Sequence, residues 1–288
     1  MEKTIIKKTA WFLVICFTLT YGLGLIIFLQ GGLEKSSLQG FIMYIPMISA
    51  FFVQKLIAKE PLLKGGKLGF RIGKPVYLLA APVICLSILA VIYSVTFLLN
   101  PELLVNKDTL AENIGRANIP LGNMSTMQAI LMIFALNLIL APILNLPMFL
   151  GEEVGWRGFL FPNLLALFKK PGLLIGGIIW GLWHLPMILM GLNYPTNPTL
   201  GILFMVIFCV SWGIIIQFIY QASGSIFSAA LAHGIINWTG TTVMLFLVEE
   251  NKINMFLEGP TGIVGLIVVA PVAFYCFQIY PVDQSMMT

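Results

Sequence analysis

Residues 9–30 read TAWFLVICFTLTYGLGLIIFLQ, and Lys7 and Lys8 stand immediately before them. As a helix, a run of this length without one charged side chain crosses the roughly 30 Å hydrocarbon core of a bilayer. It is too long and too uniformly apolar for a barrel strand. A backbone in lipid must also satisfy its own hydrogen bonds, so helix is the reading. The basic flank before an apolar run resembles a secretory signal, yet no small-residue cleavage site is evident and further apolar runs follow. The segment therefore reads as a retained first span.

The rest of the chain repeats this pattern. Of its 288 residues 59% are hydrophobic and 10% charged, where a soluble domain carries about 25% charged residues. Apolar runs fall near 9–30, 38–57, 75–99, 127–150, 172–191, 199–220, 225–248 and 259–281. The fourth is interrupted by Pro142 and Pro147 and continues irregularly to 168. The expectation is an all-α polytopic membrane protein, a bundle of about eight transmembrane helices around an intramembrane polar cavity, with residues 1–288 as a single transmembrane domain. Cys16, Cys85, Cys209 and Cys276 lie inside the expected spans without CxxC spacing, which suits buried, reduced core residues.

Charge gives an orientation. Lys3, Lys7 and Lys8, then Lys55, Lys59, Lys64, Lys67, Arg71 and Lys74, then Lys169 and Lys170 fall on one side of the expected bundle. Lys35, Lys107, Arg116 and Lys252 fall on the other, with most of the acids, including Glu102, Asp108, Glu112, Glu249, Glu250 and Glu258. The positive-inside rule then predicts a multi-pass protein of the cell membrane with both termini cytoplasmic. The net charge of +4 reflects this topology, and no nucleic-acid partner is implied.

Few ionisable groups remain at membrane depth: Glu152, Glu153, Arg157, His184 and His233, with Asn237 beside the last. Each charge at a helix centre costs about 2.5–3.5 kcal/mol on insertion scales, which makes such groups functional candidates. In GEEVGWRGFL (151–160), Glu153 and Arg157 share a helical face and can pair, while Glu152 points about 100° away. The competing reading puts this cluster at the interface, its side chains reaching water. In IIWGLWHLP (178–186), Trp180 and His184 share a face, and Trp180 with Trp183 could equally be an interfacial aromatic belt. In LAHGIINWTG (231–240), His233 and Asn237 project side by side, where Asn237 alone could be interhelical glue.

Together these residues suit hydrolysis. A glutamate beside a histidine can take a proton from water, and a histidine with an asparagine can donate to an oxyanion. Glu152, His184 and His233 equally make a zinc set, with water in the open position.

Glu-Glu-x-x-x-Arg, aromatic-x-x-x-His and His-x-x-x-Asn on successive apolar helices resemble the CPBP intramembrane proteases, also called Abi or CAAX-protease-like, over about 127–248. The resemblance implies eight helices, a cytoplasm-facing cavity and a membrane-associated peptide or protein as substrate. It implies Glu152 as the base acting with His184, His233 and Asn237 as the oxyanion hole, and Glu153 with Arg157 in support. Trp180 departs from the phenylalanine that usually opens the second motif. Two other functions compete with this one: a non-catalytic immunity or scaffold protein, and a transporter using Glu and His as a proton relay. The lack of an obvious internal repeat weighs against the transporter.

Overall fold

A computed structural model describes residues 2–62, 68–116, 124–249 and 252–281. Lys64, Lys67 and Glu250, used in the orientation reading, lie outside them. The chain is all-helical among the described residues, apart from one isolated antiparallel bridge between Leu104 and Val248. Six helical segments are long and apolar enough to cross a membrane: Glu2–Leu29, Gln39–Ile57, Tyr77–Leu99, Met127–Leu144, Pro198–Ser223 and Ile226–Leu247. Two shorter apolar helices, Pro171–Trp183 and Ile263–Ile279, accompany them. The expected multi-pass, all-α membrane protein is what the structure shows.

The helices are α1 (Glu2–Leu29), α2 (Ile45–Phe52), α3 (Tyr77–Leu99), α4 (Lys107–Arg116), α5 (Thr126–Ala135), α6 (Ala141–Leu144) and α7 (Leu146–Gly155). They continue as α8 (Phe161–Phe168), α9 (Pro171–Trp183), α10 (Leu185–Leu189), α11 (Pro198–Ser223), α12 (Ile226–Leu247) and α13 (Ile263–Ile279). The irregular fourth run is α5 to α8 in series. Pro142 and Pro147 cannot donate to the helical ladder. Between them Asn145 leaves helical geometry, and its carboxamide turns back to donate to the Ala141 carbonyl at 2.9 Å.

In their most apolar stretches, α11 and α12 have 56% of residues buried, against 28% for α1. They therefore form the centre of the bundle, and α1 lies at its periphery. Small residues let the neighbours approach. A Cβ placed on Gly177 or Gly181 of α9 would fall 2.5 or 2.6 Å from the α-carbons of Val210 or Val206 on α11. A Cβ on Gly151 of α7 would fall 2.5 Å from the Met43 carbonyl oxygen before α2. Such contacts replace the hydrophobic drive that lipid does not supply between helices. They press α7 and α9, which carry the first two motifs, against the rest of the core.

The two ends of the bundle are distinct. At one end Lys8 pairs with Glu60 at 3.2 Å, Arg71 donates to the Gly224 carbonyl at 2.7 Å, and Lys170 donates to the Gln278 carbonyl at 2.5 Å. At the other, Asn100 donates to Glu258 at 3.5 Å, Lys252 to the Glu102 carbonyl at 3.3 Å, and Tyr194 to the Thr261 carbonyl at 2.9 Å. The four cysteines are buried and free, as their sequence positions suggest.

Candidate active site

The buried ion pair comes first. Arg157 donates from Nη1 to Glu153 Oε1 at 2.9 Å, and both side chains are fully buried. The spacing of four residues on one helical face places them together, although Arg157 lies inside a π-helical turn, Trp156–Leu160. The same Glu153 oxygen accepts from His233 Nδ1 at 2.8 Å. A carboxylate can only accept here, so the hydrogen lies on Nδ1 and Nε2 is free to act elsewhere. Arg157 also lies over the Trp180 ring at 4.3 Å and the Phe161 ring at 5.2 Å. The interfacial reading of this cluster is thereby overturned, because Glu153 and Arg157 are fully buried, paired with each other and faced by aromatic rings, and do not reach water.

Glu152 is held differently. Its Oε2 accepts from Trp180 Nε1 at 3.0 Å and from Trp156 Nε1 at 3.2 Å. No hydrogen bond is found at its Oε1 among the described residues. Trp180 and Trp183 are 2% and 1% exposed, so they are core residues and not an interfacial belt. Trp183 donates to Thr20 of α1 at 2.7 Å, fixing the end of α9. The role of Trp156 was missed in the sequence, although its spacing of four from Glu152 was there to be read.

His184 stands at the end of α9, and its Nδ1 meets the Trp180 carbonyl at 2.9 Å. That carbonyl can only accept, which again leaves Nε2 unprotonated in the neutral ring. Asn237 is exposed, and no partner for its carboxamide is found among the described residues, while its backbone carbonyl accepts from Thr241 at 3.0 Å. Glu152, His184, His233 and Asn237 all line one cavity of about 850 Å³. Glu153 and Arg157 do not line it and lie behind His233.

The cavity has a definite end. At about 1.5 Å per residue, the 13 residues of α9 rise roughly 20 Å from the basic end and stop at His184. Beyond that point the walls include Leu33, Gln39, Asn193, Met255 and Thr261. Tyr194, whose phenol is pushed up by burial, holds two of these loops together through Thr261. The mouth therefore lies opposite the N-terminus and the basic loops. A cytoplasm-facing cavity and cytoplasmic termini, expected together from the sequence, do not fit this chain at once.

Among the described residues no group of three or more His, Cys, Asp or Glu is placed to hold a metal ion. The zinc donors expected from the sequence, Glu152, His184 and His233, share the cavity wall without forming such a group. Glu152 Oε2 is occupied by two indoles, and His233 Nδ1 by Glu153.

Comparison with known proteins agrees with the motifs. Residues 127–239 match the family model described as type II CAAX prenyl endopeptidase Rce1-like. Over 46 residues the chain is 44% identical to CAAX prenyl protease 2 of Methanococcus maripaludis, a stretch covering 15% of this chain and 16% of that protein. Over the segment carrying Glu152, Glu153, Arg157, His184, His233 and Asn237 the chain is similar to the CAAX-protease-like (CPBP) family.

Proposed function

We propose that the protein is an intramembrane endopeptidase of the cell membrane, with both termini cytoplasmic, cutting membrane-associated peptides or proteins. The observation that carries this reading is the meeting of Glu152, His184, His233 and Asn237 on one cavity wall, with Glu153 and Arg157 neutralising each other behind it. Water sits between Glu152 Oε1 and His184 Nε2 and gives a proton to Glu152 as its oxygen bonds to the substrate carbonyl carbon. The oxyanion formed accepts from the Asn237 carboxamide and from His233 Nε2, when that ring carries both protons and donates its Nδ1 hydrogen to Glu153. Glu152 then passes its proton to the amide nitrogen, the C–N bond breaks, and amine and carboxylic acid leave. Glu153 and Arg157 touch no substrate in this scheme. They hold His233 in position.

A non-catalytic immunity or scaffold role is the competing reading, and it gives no reason for a buried glutamate with one oxygen clamped and the other left free. Comparative N-terminal proteomics of membranes with wild type or Glu152→Gln at matched abundance tests the proposal. Glutamine keeps an oxygen to accept from both indoles, so the variant is expected to fold and insert. New N-termini found only with wild type support a protease. Equal cleavage by Glu152→Gln removes Glu152 as the base.

A further inference from the structure

The side on which the cavity opens bears on the substrate. Among the described residues, the end opposite the mouth carries nine basic side chains (the N-terminal lysines, Lys55, Lys59, Arg71, Lys74, Lys169 and Lys170) against Glu2 and Glu60. The mouth end carries three described basic side chains, Lys35, Lys107 and Lys252, against six acidic ones. Hydrogen bonds and ion pairs tie each set of loops to its own end. No described lining residue comes from 53–76, 169–170 or 224–225, the basic end. Basic loops stay cytoplasmic. With Lys55 to Lys74 and Lys169 to Lys170 inside, the loops around Ser37, Asn193 and Thr261 are outside.

The lining adds chemistry. It includes Met43, Met148, Met187, Met205, Met244 and Met255, and no lysine or arginine among its described residues. Methionines are flexible, polarizable and accommodate varied apolar shapes. With no lysine or arginine among the described wall residues, no fixed cation is placed to receive a chain-terminal carboxylate, and an internal peptide bond between apolar side chains is the better match. We infer that the active-site cavity opens to the extracytoplasmic side and takes extracytoplasmic segments of membrane-anchored or secreted polypeptides, cut internally next to apolar side chains. The substrate part rests on the protease reading above, whereas the side of the mouth does not.

Two measurements separate the parts. Single-cysteine variants Ser37→Cys, at the mouth, and Lys74→Cys, at the opposite end, are treated in intact cells with a membrane-impermeant maleimide. The native cysteines are buried and serve as the unlabelled background. Ser37→Cys is expected to label in intact cells and Lys74→Cys only after permeabilisation. The reverse pattern overturns the inference whether or not the protein is a protease. The N-termini that depend on Glu152 are then mapped onto substrate topology. Sites in extracytoplasmic segments flanked by apolar residues uphold the substrate class, and sites in cytoplasmic tails overturn it. If no such N-termini arise while Ser37→Cys labels from outside, the protease reading fails, the substrate class falls with it, and the outward mouth stands.

Discussion

Replacing Trp180 by phenylalanine removes one indole N–H and keeps a ring in place. In the structure that N–H donates to Glu152 Oε2 at 3.0 Å, and the ring faces the Arg157 guanidinium at 4.3 Å. A phenyl group retains an aromatic face for the cation, so the main loss is one of two donors orienting the carboxylate. A hydrogen bond to a charged group contributes about 1.5–3 kcal/mol net, which is roughly 10- to 150-fold in rate if the bond serves the transition state. Trp156 still holds the same oxygen at 3.2 Å, so the lower half of that range is expected, about 10- to 30-fold in kcat. Trp180 lines the cavity, but phenylalanine keeps a ring in that wall, so KM should change little. The assay is steady-state cleavage, in proteoliposomes, of a peptide found by the proteomic comparison, with thermal unfolding in detergent run in parallel. Trp156→Phe should have a similar effect, and the double variant should lose more than the product of the two, because either indole alone can still orient the group. An unchanged kcat in folded Trp180→Phe and in folded Trp156→Phe would refute the idea that the indoles aim Glu152.

Asn237→Ala, at an exposed side chain without a partner among the described residues, should unfold like wild type yet lose about 100- to 1000-fold in kcat, as removal of an oxyanion donor does. A lowered melting temperature with intact kcat would instead make it interhelical glue. Arg157→Met leaves Glu153 buried with only His233 as partner and should cost about 3–5 kcal/mol of stability, as breaking a buried pair does. Adding Glu153→Gln to it should restore much of that loss in a thermal melt. Prolonged chelation should leave cleavage unchanged, because Glu152, His184 and His233 do not form a metal-holding group. Inactivation by chelator that zinc reverses would refute this.

Local spacing carried much of the site. The Glu153–Arg157 pair follows from four residues of separation, and the same geometry turns Glu152 away from it. Spacing also placed Trp180 near His184, and besides the ring contact the histidine bonds the Trp180 carbonyl where α9 ends. What spacing could not supply was partnership across the chain. Trp180 reaches Glu152 from 28 residues away, and His233 reaches Glu153 from 80. The π-helical turn at Trp156–Leu160 and the break at Asn145 depend on packing against α1, α2 and α12, and the fourth run therefore read as a single irregular segment. The side of the cavity was not legible for a related reason. Charge fixes which loops lie together, but only the early end of α9 shows which face is left open.

Two adjacent glutamates in one apolar chain then have separate physical roles. Each charge at membrane depth has to be compensated, and the two are compensated by different kinds of group. Glu153 meets a cation and an imidazole, so its charge is cancelled within the wall. Glu152 meets two neutral indoles, which orient one oxygen without contributing a formal charge. If the arginine lay on Glu152, the carboxylate facing the cavity would be locked in an ion pair, and His233 would lose the Arg157-paired carboxylate that positions it. The 100° between neighbouring helical side chains is what keeps these environments apart. An inserted residue between Glu152 and Glu153 would put the paired carboxylate and the free one on altered faces, and should abolish cleavage even where both glutamates remain.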